Sequence, residues 1–225
     1  MARLPILAAL LLGALPLRAE ACALALLFAL DVSASVDMDE YRQQRDGLAA
    51  ALLSPAVREA VLAQEGGVAF AAYEWSGRHQ QDLALPWTMV TAEPALLEVA
   101  QTLARGPRSY AEFPTAIGYA LAYGSGLLRE APPCRRQVID ISGDGVGNEG
   151  FGPAAAYREF PFDGVTVNGL VIGGNDAELL SYYETHIPLG PEAFIEVAED
   201  FSDYEDAMRR KLLRELYGPQ VADGP

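Results

Sequence analysis

Three oxygen-bearing side chains stand at alternate positions directly after an apolar run. The run from Ala23 to Leu30 ends at Asp31, and Ser33 and Ser35 follow two and four residues later. A strand that is buried on both faces reads as a continuous apolar run, and open parallel sheets bind ligands just beyond the carboxyl ends of such strands. Carboxylate and hydroxyl oxygens, without sulfur or imidazole, suit a hard cation. These residues therefore indicate half of a metal site.

Two further segments offer the missing ligands. An apolar stretch at 136–142 leads to Asp144 in "GDGVGN", and Thr115 begins a helical stretch in "PTAIGYAL". Both side chains can reach the edge of the sheet at which parallel strands end. His79 and His186, the two histidines of the chain, have no ligand spacing, which argues against a zinc or non-haem iron centre.

The elements that must position these residues alternate along the chain. Apolar stretches predict strands at 23–31, 67–75, 83–87, 136–142, 165–172 and 193–197. Helical periodicity predicts helices at 41–53, 95–103, 115–128, 177–183 and 204–217, the first of them capped by Asp37 with Glu40. This order predicts an α/β fold with a doubly wound, mostly parallel central sheet flanked by helices.

The first 21 residues have the features of a secretory signal peptide. Arg3 precedes an apolar stretch from Ile6 to Leu17, and Ala19-Glu20-Ala21 is a small-x-small cleavage site. The stretch is too short to span a membrane, and no later segment is long and apolar enough to do so. We expect an exported protein, periplasmic or extracellular and without membrane insertion, with one domain at 22–218 and a flexible tail at 219–225.

The charge balance excludes some partners. The chain has 16 basic and 31 acidic residues, and cleavage after residue 21 would leave 14 and 30. Nucleic acid and an anionic membrane are poor partners for so acidic a surface. Lys211 is the only lysine.

The two cysteines have matching positions relative to the two carboxylates. Cys22 lies nine residues before Asp31, and Cys134 lies ten before Asp144. If the two strands are parallel neighbours that end level, their first residues are level too, and the sulfurs fall within bridging range. A disulfide is expected in an exported chain. A pair of free buried thiols and lipid attachment at Cys22 are the alternatives.

The order of these motifs resembles a known site. Asp31-Val32-Ser33-Ala34-Ser35, then Thr115, then Asp144-Gly145 resemble the metal-ion-dependent adhesion site (MIDAS) of von Willebrand factor type A (VWA) domains, over nearly the whole mature chain. In detail the chain is most similar to a family of secreted bacterial proteins with this fold that is catalogued as a domain of unknown function. The segments that suggest it are "EWSG" at 74–77, "VIDISGDG" at 138–145 and "VNGLVI" at 167–172.

The resemblance implies one Mg²⁺ or Mn²⁺ ion at the carboxyl edge of the sheet. Ser33, Ser35 and, as in some such domains, Thr115 would bind it directly, and Asp31 and Asp144 would bind it directly or through water. Magnesium prefers octahedral oxygen ligands and keeps several waters, which fits such a ligand set. An exposed Asp or Glu of a partner protein would supply a further ligand. The implied function is protein binding without catalysis, and the oligomeric state is not implied.

Two departures from the family pattern concern the ligand. Many such domains have small glycines before the threonine, whereas Phe113 and Pro114 precede Thr115 here. A Thr-Asp-Gly turn is common at the last carboxylate, but here Gly143 precedes Asp144. We expect metal binding to persist, with Phe113 narrowing the approach of the ligand.

Two other interpretations compete with a MIDAS. "GDGVGN" also resembles the last motif of haloacid-dehalogenase-type phosphatases, whose nucleophile would be Asp31. That Mg²⁺-dependent chemistry needs a second aspartate at position 33, where Ser33 stands, and a lysine that holds the phosphoryl charge. Lys211, in the last helix, would have to fill this role. The other alternative is a VWA-like scaffold with a vestigial metal site, whose serines and aspartates only cap helices.

Three polar residues outside the site have structural interpretations. Asp140 falls inside a predicted central strand, where a carboxylate needs a partner, and we expect Arg135 or Arg136 to supply it. Asn148 and Asn168 are expected to form hydrogen bonds in a turn and at a strand end.

Overall fold

Within residues 21–218, six strands alternate with seven α-helices, and the six predicted strands and five predicted helices are among them. A computed structural model describes residues 21–218, so the predicted signal peptide and the tail at 219–225 lie outside the described residues, apart from Ala21. The strands are β1 (Cys22–Asp31), β2 (Val68–Trp75), β3 (Gln81–Val90), β4 (Cys134–Gly143), β5 (Val165–Ile172) and β6 (Ile195–Ala198). The helices are α1 (Met38–Leu53), α2 (Pro55–Leu62), α3 (Glu93–Arg105), α4 (Ile117–Leu128), α5 (Pro153–Glu159), α6 (Ala177–His186) and α7 (Tyr204–Tyr217). No helix within 21–218 is long and apolar enough to cross a membrane.

The strands form one sheet in the order β3-β2-β1-β4-β5-β6. All neighbouring pairs are parallel except β2 and β3, so the predicted fold class is confirmed. The chain builds the sheet outwards from β1 in one direction and then, from β4, in the other. The switch point between β1 and β4 is where open α/β sheets form a ligand crevice. Asp31 ends β1 there, and Asp144 directly follows β4.

Burial on both faces explains the apolar run of β1. All ten residues of β1 are buried. Leu24, Leu26 and Phe28 pack in the core beneath α1, α2, α3 and α7, whereas Leu27 and Ala29 pack beneath α4, α5 and α6. Helices on both faces therefore hold β1 and its terminal carboxylate in place.

The helices α2 and α5 were not predicted. Each is short, with eight and seven residues, and each begins with a proline in its first turn. Proline is well placed at a helix start because its missing N–H would have no partner there. Neither helix is long enough to give a clear period in the sequence.

A disulfide joins the first residues of the two central strands. Cys22 and Cys134 are register partners in the β1–β4 pair, with a Cα–Cα distance of 4.3 Å, and their sulfurs are bonded. The predicted disulfide is thus present. Because Cys22 Sγ is bonded in it, this sulfur is not free for lipid attachment. It lies at the opposite end of these strands from Asp31 and Asp144.

The predicted partner of Asp140 was wrong. Asp140 is buried, and its Oδ1 lies 2.9 Å from Nζ of Lys211, which is itself fully buried in α7. Lys211 Nζ also lies 2.6 Å from Glu215 Oε1, so one ammonium group faces two carboxylates. Burial, opposed by Lys211 and reinforced by Glu215, raises the pKa of Asp140 to about 7. Arg135 and Arg136 do not pair with Asp140.

Candidate metal centre

The loop after β1 is fixed at both ends. At its start, Asp31 Oδ1 accepts a hydrogen bond from the backbone N–H of Ser33 at 2.8 Å. At its end, Asp37 accepts from the backbone N–H groups of Asp39 and Glu40, and the Glu40 side chain accepts from the N–H of Asp37, which completes a capping box. The serines between these anchors are therefore held over the end of the sheet.

The hydroxyl groups and one carboxylate form a continuous hydrogen-bonded chain. Thr115 Oγ1 lies 3.3 Å from Ser33 Oγ, which lies 3.1 Å from Ser35 Oγ. Ser35 Oγ donates to Asp144 Oδ1 at 2.6 Å. With Asp31 bonded to the backbone of Ser33, all five residues predicted from the sequence lie together at the switch point.

Buried and open residues divide the cluster into a floor and an opening. Asp31, Ser33 and Thr115 are buried, whereas Asp144 is half-buried and Ser35 is exposed. Asp31 Oδ2 is buried and has no hydrogen-bond partner in the part of the chain that the structure describes. A buried carboxylate oxygen without a partner is costly, and a bound cation would satisfy it.

Thr115 is held by the loop that follows Asp144. Its N–H donates to Asn148 Oδ1 at 3.0 Å, and its carbonyl accepts from the N–H of Asn148 at 2.9 Å. The N–H of Ala116 donates to the carbonyl of Ser76 at 2.8 Å. The expected hydrogen-bonding role of Asn148 is confirmed, and it connects two of the three loops of the cluster.

Arg108 supports the loop after β1, and the sequence analysis did not identify it. Its Nη2 lies 3.1 Å from the carbonyl oxygens of Val32 and Ser33 and 2.8 Å from that of Val36. Its Nε donates to the carbonyl of Tyr110 at 2.5 Å. Arg108 lies in the irregular segment "ARGPRSYAEFP", which offers no periodic signal, so the sequence gives no indication of this contact.

The departure at Gly143 has a steric cause. A Cβ atom at this position would lie 2.5 Å from the hydroxyl oxygen of Tyr183 and 2.8 Å from Asp31 Oδ2. Tyr183, on α6, is fully buried, and its hydroxyl has no hydrogen-bond partner within the described residues. The threonine found at this point in many such domains would not fit beside this tyrosine.

Both carboxylates of the cluster have raised pKa values, and burial is the main cause in each case. Burial, reinforced by the charge of Asp144 and opposed by the hydrogen bonds from Ser33, raises the pKa of Asp31 to about 7. Burial also raises the pKa of Asp144, against the hydrogen bond from Ser35. Burial and the two carboxylates raise the pKa of the Tyr183 hydroxyl well above its ordinary value. A nearby cation would favour both ionised carboxylates.

The ligand set fits a hard divalent cation. It offers three hydroxyl oxygens and two carboxylates, which suit Mg²⁺ or Mn²⁺. Within residues 21–218 no group of three or more His, Cys, Asp or Glu side chains is arranged to hold a metal. The cluster at Asp31 is of a different kind, since it combines two carboxylates with three hydroxyl groups.

The structure does not favour the phosphatase alternative. Lys211 is fully buried between Asp140 and Glu215, so it is not available to a phosphoryl group at Asp31. No second aspartate stands in the loop at position 33, where Ser33 donates its N–H to Asp31.

Residues 21–220 match the model of a family described as "Protein of unknown function (DUF1194)". The chain belongs to this family. No curated protein matches it significantly. The predicted resemblance to a family catalogued as a domain of unknown function is thus confirmed, and the description of the family states no activity.

Solved structures show the VWA fold. Proximal thread matrix protein 1 from the mussel byssus, whose structure is described as having a zinc-occupied MIDAS motif, is 15% identical with a TM-score of 0.61, over 88% of this chain and 48% of that one. A von Willebrand factor type A protein from Catenulispora acidiphila is 14% identical with a TM-score of 0.62, over 87% and 43%. An aerotolerance-related membrane protein from Bacteroides fragilis is 14% identical with a TM-score of 0.54, over 84% and 98%. The chain spans less than half the length of the first two structures.

Proposed function

We propose that the chain is an exported module that binds a partner protein through a divalent cation. Asp31, Ser33, Ser35, Thr115 and Asp144 would hold Mg²⁺ or Mn²⁺. The observation that carries this proposal is the hydrogen-bonded chain from Thr115 to Asp144, above a buried Asp31 oxygen without a partner.

The charge of the ligand set favours an anionic partner. Three of the five side chains are neutral hydroxyls, so the ion would keep Lewis acidity towards a further oxygen. The opening at Ser35 and Asp144 gives access from solvent, and a carboxylate from an exposed Asp or Glu would be a favourable additional ligand. Phe113 and Val146 are each 38% exposed in the two loops beside this opening and would contact the same partner.

Export is supported by the chemistry of the cysteines. The disulfide between Cys22 and Cys134 requires an oxidising compartment, such as the periplasm or the extracellular space. The predicted signal peptide leads to the same compartments.

The first experiment is thermal melting of residues 22–225 with MgCl₂ or MnCl₂ against EDTA. A cation that binds only the folded state at about 100 times its Kd stabilises it by about 2.7 kcal/mol. For a domain of this size that corresponds to a rise in Tm of roughly 5–11 °C. The Asp144→Ala variant should lose this rise, whereas Asp163→Ala, which removes an exposed carboxylate outside the cluster, should keep it.

Partner binding is tested separately. A protein captured by the immobilised chain should be eluted by EDTA, and millimolar acetate, as a free carboxylate, should inhibit its capture. The same protein should not bind to immobilised Asp144→Ala. If the wild type shows no rise in Tm with either metal, the site is vestigial and the proposal fails. Capture that is insensitive to EDTA would refute the role of the metal in binding.

A further inference from the structure

A cavity lies at the opposite end of the sheet from the candidate metal centre. Its volume is about 580 Å³. The first halves of β4 and β5, the segment 191–194 and the end of α7 line it. Because β4 and β5 are parallel and end near Asp144, their first halves are remote from the candidate metal centre.

Two arginines at this cavity have no acidic partner. Arg136 and Arg214 both line it, and neither forms an ion pair with any residue from 21 to 218. The Arg214 guanidinium stacks on Phe194, 3.8 Å from the ring centroid. Arg136 makes one long contact, 3.5 Å from Nη2 to the carbonyl of Leu216, and partial burial lowers its pKa, against the charge of Glu215. Both guanidinium groups therefore keep hydrogen-bond donors that an anionic ligand could use.

The same cavity contains a carboxylate oxygen that lacks a donor. Glu215 is 3% exposed and lines the cavity. Its Oε1 is bonded to Lys211 Nζ at 2.6 Å and to Asn168 Nδ2 at 2.9 Å, which fixes the side chain. Its Oε2 is buried and has no hydrogen-bond partner among residues 21–218. A ligand that fits this cavity must therefore present an anionic group to the arginines and a hydrogen-bond donor to Glu215.

We propose that this cavity binds a phosphate group, either free or as the monoester of a small molecule. Arg136 and Arg214 bind the ionised oxygens, because guanidinium groups match phosphate geometry. A P–OH group donates to Glu215 Oε2, which is possible because both ionic forms of inorganic phosphate near neutral pH retain a proton. Sulfate has the same size but is fully ionised, so Glu215 would repel it. The unpartnered carboxylate thus selects phosphate over sulfate.

The test is calorimetric titration of residues 22–225 with sodium phosphate, sodium sulfate and glycerol 3-phosphate at about pH 6, where a phosphomonoester is about half protonated. Phosphate should bind at least about tenfold more tightly than sulfate, the factor expected for one hydrogen bond to a charged group. If glycerol 3-phosphate binds more tightly than phosphate, the natural ligand is an ester. If phosphate binds more tightly, it is the free ion.

Variants separate the two parts of the site. Arg136→Met and Arg214→Met should each weaken phosphate binding about tenfold or more, whereas Arg129→Met, which removes an exposed arginine at the end of α4, should not change it. Glu215→Gln should remove the preference for phosphate over sulfate, provided that melting shows it to be folded. If it is not folded, the two arginine variants and the wild-type preference decide. Equal affinity for phosphate and sulfate, or no binding of any of the three anions, would overturn the proposal.

Discussion

Replacing Arg108 by methionine should both destabilise the protein and weaken its response to metal. Methionine keeps most of the apolar stem of the side chain and removes the guanidinium. In the wild type this group contacts the carbonyls of Val32, Ser33 and Val36 through Nη2 and that of Tyr110 through Nε. The substitution therefore leaves the loop of the metal cluster without its main side-chain support.

The size of the effect follows from the number of donors. One Nη2 group carries two hydrogens, so its three carbonyl contacts amount to about two hydrogen bonds, and Nε adds a third. At about 1 kcal/mol each, the loss in the free energy of unfolding is about 2–3 kcal/mol. For a domain of this size, Tm should fall by roughly 4–12 °C. Because Ser33 and Ser35 would no longer be held in place, the substitution should also weaken the binding of the metal. A tenfold weaker Kd would reduce the stabilisation of the folded protein by metal by a further ~1.4 kcal/mol.

The assay is thermal melting of Arg108→Met in EDTA and in saturating MgCl₂. The matched control is Arg105→Met, since Arg105 is exposed near the end of α3 and forms no ion pair within residues 21–218. A surface substitution of this kind changes stability by less than about 0.5 kcal/mol. If Arg108→Met and Arg105→Met have the same Tm in EDTA, Arg108 does not support the loop. If Arg108→Met is less stable but keeps the full magnesium-dependent rise, the loop does not depend on Arg108 for metal binding.

Three further predictions concern the disulfide, the buried charges and Gly143. Cys22→Ser and Cys134→Ser should lower stability equally, by about 2–5 kcal/mol in urea unfolding, because the bridge closes a loop of 112 residues; free thiols in the mass spectrum of the exported wild type would contradict this. In the folded protein the pKa of Asp140 is raised to about 7, so the folded state binds a proton at this carboxylate more tightly than the unfolded state does. The stability from this proton is therefore fully present below the pKa of Asp140 in the unfolded chain, and it is lost as the pH rises through about 7. The advantage of wild type over Asp140→Asn in urea should therefore be smaller at about pH 8 than at about pH 5, and an unchanged difference would refute it. Gly143→Ala should lower the free energy of unfolding by about 1–3 kcal/mol, because the new methyl group contacts Tyr183 and Asp31. Adding Tyr183→Phe to this variant should restore part of the lost Tm. A Gly143→Ala protein with the Tm of the wild type would show that the site has room for the methyl group.

The local patterns were sufficient for the sheet and for the cluster. The apolar run of β1 ends at Asp31 as expected, because a strand buried on both faces leaves its polar residues to the loop that follows. The residues 81–82 and 88–90 of β3 were missed, since this edge strand mixes exposed and buried residues and lacks a continuous apolar run. The helix α7 was found over its full length because its buried positions recur with helical spacing.

Contacts between distant segments could not be predicted in the same way. Lys211 pairs with Asp140 across 71 positions of the sequence, and only the packing of α7 on β4 brings them together. Arg108 reaches the β1 loop from a segment without regular structure, so neither periodicity nor spacing indicates its role. Gly143 could be recognised as a departure from the family pattern, but its cause depends on Tyr183 from α6. In each case the decisive neighbour is set by tertiary packing.

The bridge between Cys22 and Cys134 has a consequence for the alignment of the metal ligands. Asp31 ends β1 and Asp144 directly follows β4, and backbone hydrogen bonds and buried side chains set the register of these two strands. A slip by one residue would move one carboxylate by about 3.3 Å relative to the other and would turn every side chain of the strand to the opposite face. The covalent link at the far end excludes such a slip. Oxidation of the cysteines therefore helps to fix the distance between the two proposed metal ligands, which lie a full strand length away.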